Sequence, residues 1–385
     1  MNSPKLLFLV TEDWYFVSHR LPLAVAARQA GYAVTVVTRV GEHGHTIRNA
    51  GLRLIPIELS RRGKNPFPEM MLVAGLIAIY RRERPDIVHH VAMKPVLYGS
   101  LAARLAGVRH VVNALAGLGW LFTSESRLAN VLGRGVRVAF RKLLNRGAVI
   151  VQNPDDMKWL VDLGIESSRI HLIRGSGVDV NRFALTPEPD GEPVVMLASR
   201  MLWHKGVGEF VAAARNLKQR GVAVRFVLVG DPDPANPASI PRGLLESWHA
   251  EGVMEWWGHR NDMAQVFAQS HLVCLPSYYR EGLPKVLLEA AACGRAIVAT
   301  DMPGCREIVR HGDNGLLVPP RDPLALAQAI ATLVEDPALR AQMGARGRQL
   351  AVNEFSSERI TGEVLALYQT LLGDRRPVLS LSAST

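Results

Sequence analysis

Two carboxylates stand eight positions apart in Glu281-Gly-Leu-Pro-Lys-Val-Leu-Leu-Glu289. Ala290-Ala291-Ala292 follows the second, and Leu-Val-Cys-Leu-Pro at 272–276 precedes the first as a short buried strand. The spacing predicts a helix from Pro284 onward, because Pro is tolerated in a first turn. The N–H groups of Gly282, Leu283 and Lys285 then gather at a helix N-terminus, which favours hydrogen-bond acceptors and negative charge. Glu289 lies about two turns further on, roughly on the face nearest Glu281. Such a strand–loop–helix junction can hold a polyhydroxylated, phosphorylated ligand at both ends.

A second cluster is Arg200 and Lys205, within Ala198-Ser-Arg-Met-Leu-Trp-His-Lys-Gly206 and directly after another apolar run. A strand-to-helix loop there lets two cations face one anion, and Gly206 permits close backbone approach. A solvated basic loop is the alternative. Nearer the N-terminus, Trp14-Tyr-Phe-Val-Ser-His-Arg20 follows the first strand, so His19 and Arg20 either begin a helix at the surface or reach a ligand. His89-His90 ends a strand and Lys94 follows in the next loop; one of these is expected to take part in the chemistry. Ala116-Gly-Leu-Gly-Trp120 is a backbone-rich loop suited to ligand contact, or glycine-rich for its turns alone.

The elements that must position these residues alternate. In the first half, apolar runs at 6–10, 33–38, 54–57, 87–90, 108–113 and 149–152 read as strands, with helices at 21–30, 69–84 and 96–105. In the second half, strands fall at 194–198, 225–229, 254–257, 272–275, 296–299 and 315–318, and helices at 208–220, 263–269, 284–293 and 323–333. Repeated β-α alternation implies parallel sheets covered on both faces, hence an α/β fold of two doubly wound domains facing a cleft. The Pro-rich stretch 185–193 reads as the linker. The expected division is 1–184, 193–357, a C-terminal helix at 358–372 that crosses back to the first domain, and a mobile tail at 373–385.

The 385 residues suffice for two domains, and 48% hydrophobic with 21% charged residues is the balance of a folded globular chain. Three cysteines without metal-ligand spacing argue for a reducing compartment. No apolar run is long enough for a membrane span or a signal peptide, so a cytoplasmic protein is expected. The net charge is +10 and uneven: residues 1–185 hold 25 Lys/Arg against 13 Asp/Glu, and the remainder 20 against 22. Arg127, Arg134, Arg137, Arg141, Lys142 and Arg146 alternate with apolar residues across 126–146, as in an amphipathic helix for anionic lipid or an ordinary solvated face. No Gly-x-Gly-x-x-Gly follows the first strand, which counts against a dinucleotide oxidoreductase, and no Ser-centred nucleophile elbow is present.

Glu-x7-Glu with Gly-Leu-Pro, Pro-Ser-Tyr-Tyr-Arg before it and Ala-Cys-Gly-Arg-Ala-Ile-Val-Ala-Thr-Asp after it, resembles the donor-sugar motif of the retaining glycosyltransferase family four. That resemblance implies the GT-B fold. It implies that Glu281 and the backbone of Gly282, Leu283, Pro284 and Lys285 bind the donor sugar, and that Glu289 binds the nucleotide ribose. Arg200 and Lys205 correspond to the pair that binds the donor diphosphate, where fixed cations stabilise charge developing on the leaving group. His89 joins them as a catalytic candidate, and Arg260, His19 and Gly119 as candidates for donor contact. Gly175-Ser-Gly-Val-Asp179 resembles the family's Asn-Gly-Val-Asp loop with Ser176 in place of Asn, or is a plain interdomain turn.

The stretch after the first strand lacks the Gly-Gly turn of many members, and so is similar to the subgroup that elongates polyprenyl-diphosphate-linked sugars; in that resemblance His19 and Arg20 reach the diphosphate region or the acceptor. The resemblance implies a UDP-sugar donor in preference to a GDP-sugar, and a polyprenyl-diphosphate-linked acceptor at an anionic membrane surface, on the inner face of the plasma membrane. The leaving phosphate can itself take the acceptor's proton. No metal cofactor is expected: Asp231-Pro-Asp233 spells a metal-binding pattern of another transferase class but reads here as turn chemistry, and His43-Gly-His45 lacks further ligands. A nucleotide-sugar epimerase on the same fold is the competing reading. A nucleic-acid-binding protein is suggested by charge alone, without aromatic platforms or a known module.

Overall fold

Short aliphatic and β-branched runs, covered on both sides, make the inner strands of this chain. The computed structural model describes residues 3–59, 66–115, 117, 138 and 140–373. They divide into two units, one formed by residues up to Ser176 and from Ile360 onward, the other by Gly177–Arg359.

In the first unit, β1 (Lys5–Glu12), β2 (Ala33–Arg39), β3 (Arg53–Pro56), β4 (Ile87–Val91), β5 (His110–Ala114), β6 (Ala148–Val151) and β7 (Ile170–Leu172) form one parallel sheet in the order β3-β2-β1-β4-β5-β6-β7. The winding reverses between β1 and β4, the topological switch point at which α/β sheets take ligands. Leu6, Phe8 and Val10 of β1 face the helix Ser357–Leu372, whose Ile360, Val364, Leu367, Tyr368 and Leu372 recur every three or four residues. Leu7 and Leu9 face the other way, toward Leu76 and Tyr80 of the helix Pro66–Glu83 and Ala102 and Ala103 of the helix Met93–Ala106.

β4 ends on a strained residue. Ala92 has φ 74° and ψ 166°, a backbone region that is essentially glycine's. Such strain costs on the order of 1–3 kcal/mol, while glycine adds roughly 0.5–1 kcal/mol of unfolded-chain entropy. Ala92→Gly is therefore expected to stabilise the protein by about 1 kcal/mol in urea denaturation; a destabilised variant would mean the Cβ is needed there.

In the second unit, β8 (Val194–Ala198), β9 (Arg225–Val229), β10 (Glu255–Trp256), β11 (Leu272–Leu275), β12 (Ala296–Thr300) and β13 (Gly315–Val318) are again parallel, in the order β10-β9-β8-β11-β12-β13. Its switch point lies between β8 and β11. β8, β11 and β12 are buried along their whole length, as parallel strands covered by helices must be. The two doubly wound parallel sheets anticipated from the alternation are present.

Periodicity overlooks the helix Pro337–Phe355, because glycine and arginine occupy much of its inward face. A Cβ on Gly344 would lie 2.1 Å from the Gly294 carbonyl oxygen, so the helix packs there backbone to backbone. Arg340 reaches Glu188 at 2.8 Å, and Arg348 donates to the carbonyls of Val180, Phe183 and Ala292. Arg295 likewise donates to the carbonyls of Thr186 and Pro187. The Pro-rich stretch 185–193, expected as the linker, is thereby fastened within the second unit, and the chain changes unit between Ser176 and Gly177.

Candidate active site

β8 delivers Arg200 and Lys205 at its C-terminal end, and β11 delivers Ser277 and Glu281 beside them. The Lys205 ammonium donates to one oxygen of Glu281, and the Ser277 hydroxyl donates to the other at 2.6 Å. Thr300, at the end of β12, donates to the Ser277 carbonyl. Three adjacent strand ends thus hold one carboxylate.

Two glycines set the spacing. Gly206 has φ +78°, and a Cβ there would lie 2.1 Å from the Pro276 carbonyl oxygen, so only glycine lets the β8 loop lie against the end of β11. A Cβ on Gly304 would lie 1.7 Å from the Gly282 carbonyl oxygen, which presses the short helix Pro303–Arg306 onto the loop bearing Glu281. Beyond that loop the helix is Lys285–Ala292, with Pro284 as its N-cap and no capping side chain. Gly282, Leu283, Pro284 and Lys285 therefore line a helix N-terminus, as anticipated, and its macrodipole favours an anion.

Burial pushes the Glu281 carboxyl up, but the Lys205 charge and the hydrogen bonds from Lys205 and Ser277 outweigh it and hold the group below the ordinary glutamate value. Burial also acts on Glu289, and there it prevails over Lys285 and Arg182, so that carboxyl is raised. Lys285 approaches Glu289 at 3.4 Å along the same helix. Two carboxylates of one loop–helix segment are pushed apart in acidity, one fixed as an anion and the other easier to protonate. Arg200 pairs with Asp233 at 2.7 Å, and Asp231 lies 3.7 Å from Arg242. Both acids of Asp231-Pro-Asp233 thus face arginines, and among the described residues no group of three or more His, Cys, Asp or Glu could hold a metal.

Every candidate cation here has a carboxylate beside it: Arg200 has Asp233, Lys205 has Glu281 and Lys285 has Glu289. A diphosphate entering the site can exchange those partners without any cation having been left uncompensated beforehand. Sequence reasoning missed Ser277, Asp233 and His204. The His204 imidazole stacks at a tilt on Tyr279, 4.9 Å between ring centres, and is held below its ordinary value by burial, Lys205 and Arg200 against Glu281. Ser277 lies in the quoted Pro-Ser-Tyr-Tyr-Arg run, the one signal that could have pointed to it. The three cysteines are buried free thiols; burial and Glu281 push Cys305 up to about 12, and burial carries Cys293 to about 11. They are poor nucleophiles.

The remaining candidates stand elsewhere. Arg260 makes a two-pronged pair with Asp262, at 2.7 and 2.5 Å, and is not joined to the Glu281 cluster. His19 ends the helix Asp13–His19, where its ring stacks on Tyr15 at 4.2 Å; it does not start a helix. Lys94 pairs with Glu69 at 2.8 Å. Gly119, with Arg127, Arg134 and Arg137, lies outside the described residues.

The expectation that His89 or His90 takes part in the chemistry does not fit their burial, since both are 0% exposed. His89 stacks on Phe8 at 5.2 Å and shares a hydrogen bond through Nδ1 with the Tyr368 hydroxyl. His90 bonds to Tyr80 at 3.0 Å and Asn113 at 2.9 Å, and burial lowers it to about 4. Both faces of a parallel sheet are covered, so a polar residue inside β4 points into packing on whichever side it falls.

Two family models match the chain: glycosyl transferases group 1 over residues 192–336, and glycosyl transferase 4-like over residues 5–153. Among curated proteins, the N,N'-diacetylbacillosaminyl-diphospho-undecaprenol alpha-1,3-N-acetylgalactosaminyltransferase of Campylobacter jejuni is 29% identical over 92% of this chain and 95% of its own length. The capsular polysaccharide biosynthesis glycosyltransferase CapM of Staphylococcus aureus is 24% identical over 97% and 98%. Among solved structures, Anabaena HepE in complex with UDP and glucose superposes with a TM-score of 0.77 at 21% identity, over 95% of this chain and all of that one. The sucrose-phosphate synthase of Thermosynechococcus elongatus gives 0.79 at 22% identity, over 96% of this chain and 100% of that one.

Proposed function

Because this chain belongs to the group 1, glycosyl transferase 4-like family and is a glycosyltransferase of the GT-B fold, we propose that it moves a sugar from a UDP-sugar to a polyprenyl-diphosphate-linked saccharide with retention at the anomeric carbon. The observation that carries this reading is the Glu281 carboxylate, fixed by Lys205 and Ser277 at a helix N-terminus, with Arg200 on the neighbouring loop. In this reading Glu281 orients the hydroxyls of an N-acetylhexose or hexose. Glu289, whose carboxyl burial makes easier to protonate, meets the ribose. Arg200 and Lys205 take the diphosphate and stabilise the charge that builds on it as the glycosidic bond breaks.

Glu281 is itself tied down by two donors and is a poor free nucleophile. The departing phosphate oxygen is then the base that takes the acceptor hydroxyl's proton on the same face, and the sugar keeps its configuration. The cations supply what a metal supplies in other transferases. UDP is favoured as donor nucleotide because the structurally similar HepE binds it, and the lipid diphosphate because the Campylobacter relative is named for one. Peripheral association with an anionic bilayer is supported by the excess of 25 Lys/Arg over 13 Asp/Glu in residues 1–185. Among the described residues no helix is long and apolar enough to cross a membrane.

A donor screen tests the reading. Nucleotide release is expected from a UDP-sugar, with EDTA present, only when a polyprenyl-diphosphate-linked saccharide is added. Conversion of the donor to an epimer without acceptor would make the protein an epimerase instead. Full loss with EDTA, restored by manganese, would return Asp231 and Asp233 to a metal site.

A further inference from the structure

Among the described residues, three arginines are almost fully buried: Arg20 at 3% exposure, Arg295 at 1% and Arg340 at 4%. The fold satisfies two of them. Arg295 donates to Phe267, Thr186 and Pro187, and Arg340 to Glu188 and the Leu333 carbonyl. Arg20 is different. Its Nε has no hydrogen-bond partner, and among the described residues no carboxylate is paired with it. A guanidinium cannot shed its proton to escape burial, so an uncompensated one is costly to keep.

The position gives that cost a use. Arg20 joins the helices Asp13–His19 and Leu21–Gln29, which follow β1 on the switch-point side of the first sheet. Its backbone N–H donates to the Phe16 carbonyl at 2.7 Å, Phe16 packs edge-on against Phe8 at 5.8 Å and Phe8 stacks on His89 at 5.2 Å. The Arg20 charge is felt at Tyr15, His89 and Tyr368. One of them, His89, has a second unsatisfied atom: Nε2 is buried without a partner, while Nδ1 is engaged by Tyr368. Two buried polar atoms, the Arg20 Nε and the His89 Nε2, thus have no hydrogen-bond partner in one neighbourhood.

We propose that Arg20 is a receptor for a phosphoryl oxyanion of the substrate. The planar fork of a guanidinium matches two phosphate oxygens, which a carbonyl or hydroxyl ligand does not use. Resting on the function proposed above, the anion is the diphosphate of the lipid-linked acceptor, since the donor diphosphate already has Arg200 and Lys205. Arg20 is a binding residue here, and no bond is made or broken on it.

The test uses inorganic pyrophosphate and the full chain carrying Arg200→Ala and Lys205→Ala, which removes the donor's cations. Calorimetry is expected to find residual pyrophosphate binding that Arg20→Met weakens at least tenfold and Arg20→Lys weakens less. The ligand-free Arg20→Met protein is expected to melt no lower than its parent, because an unpaired buried charge has been replaced by an apolar chain. Unchanged pyrophosphate binding, or an Arg20→Met protein that melts lower or does not fold, overturns the proposal. In the otherwise unaltered enzyme, Arg20→Met is expected to raise KM for the lipid diphosphate at least tenfold and leave KM for the UDP-sugar unchanged. A rise in the donor KM instead overturns the acceptor assignment. If no transfer to lipid diphosphate occurs while pyrophosphate binding depends on Arg20, the proposed acceptor falls and the anion receptor stands.

Discussion

Replacing Glu281 with Ala is expected to lower turnover about a hundredfold or more, the scale of loss when a reacting group is displaced by an ångström. In the proposed reading the carboxylate holds the donor sugar, and in the structure it also fixes Lys205, so its removal frees a cation that is only 16% exposed. Stability should fall by about 1.5–3 kcal/mol, the worth of a hydrogen bond to a charged group, and the protein should stay folded. Because Lys205 and Glu281 touch, their effects cannot add. Glu281→Gln combined with Lys205→Met is expected to be no worse than the poorer single variant. Glu289→Ala should act differently, weakening nucleotide binding by about 1.5–3 kcal/mol with a smaller change in turnover. Near-normal turnover in the Glu281 and Glu289 variants would remove the donor site from this part of the protein.

Replacing both Arg200 and Lys205 with Ala is expected to cost roughly a thousandfold or more in turnover, since each preorganised group aimed at developing charge is worth about 2.7–4 kcal/mol. Binding of the lipid-linked acceptor should change little. Asp233→Asn gives a graded version: Arg200 loses its partner at 2.7 Å but keeps its charge, so the donor affinity should move by far less than in Arg200→Ala. Steady-state kinetics with each substrate varied in turn separates these outcomes. If the double variant mainly raised the acceptor KM, the two cations would belong to the other substrate.

Much of the architecture could be read from the chain because parallel strands are buried on both faces and appear as unbroken apolar runs. The runs Val-Val-Met-Leu-Ala of β8 and Ala-Ile-Val-Ala-Thr of β12 could be little else. The segment from Glu281 to Glu289 was legible for a related reason, since its turn, its proline and its helix are all local. What stayed hidden depended on distant pairing. Asp233 looked like turn chemistry until the fold set it 2.7 Å from Arg200, 33 residues away, on the neighbouring strand's loop. His89 and His90 looked available because a strand end shows neither of its two coverings. Arg20 was visible as a residue type, but that it is buried and unpaired is a property of packing that no spacing reveals.

The most direct measurement of the central claim is the configuration at the anomeric carbon of the product, read by proton NMR after transfer from an α-linked UDP-sugar to a polyprenyl-diphosphate-linked saccharide. The account predicts an α-linked product, formed by the wild type and lost with Glu281→Ala and with the Arg200→Ala, Lys205→Ala pair. A β-linked product, or an α-linked one formed equally well by those variants, would contradict it.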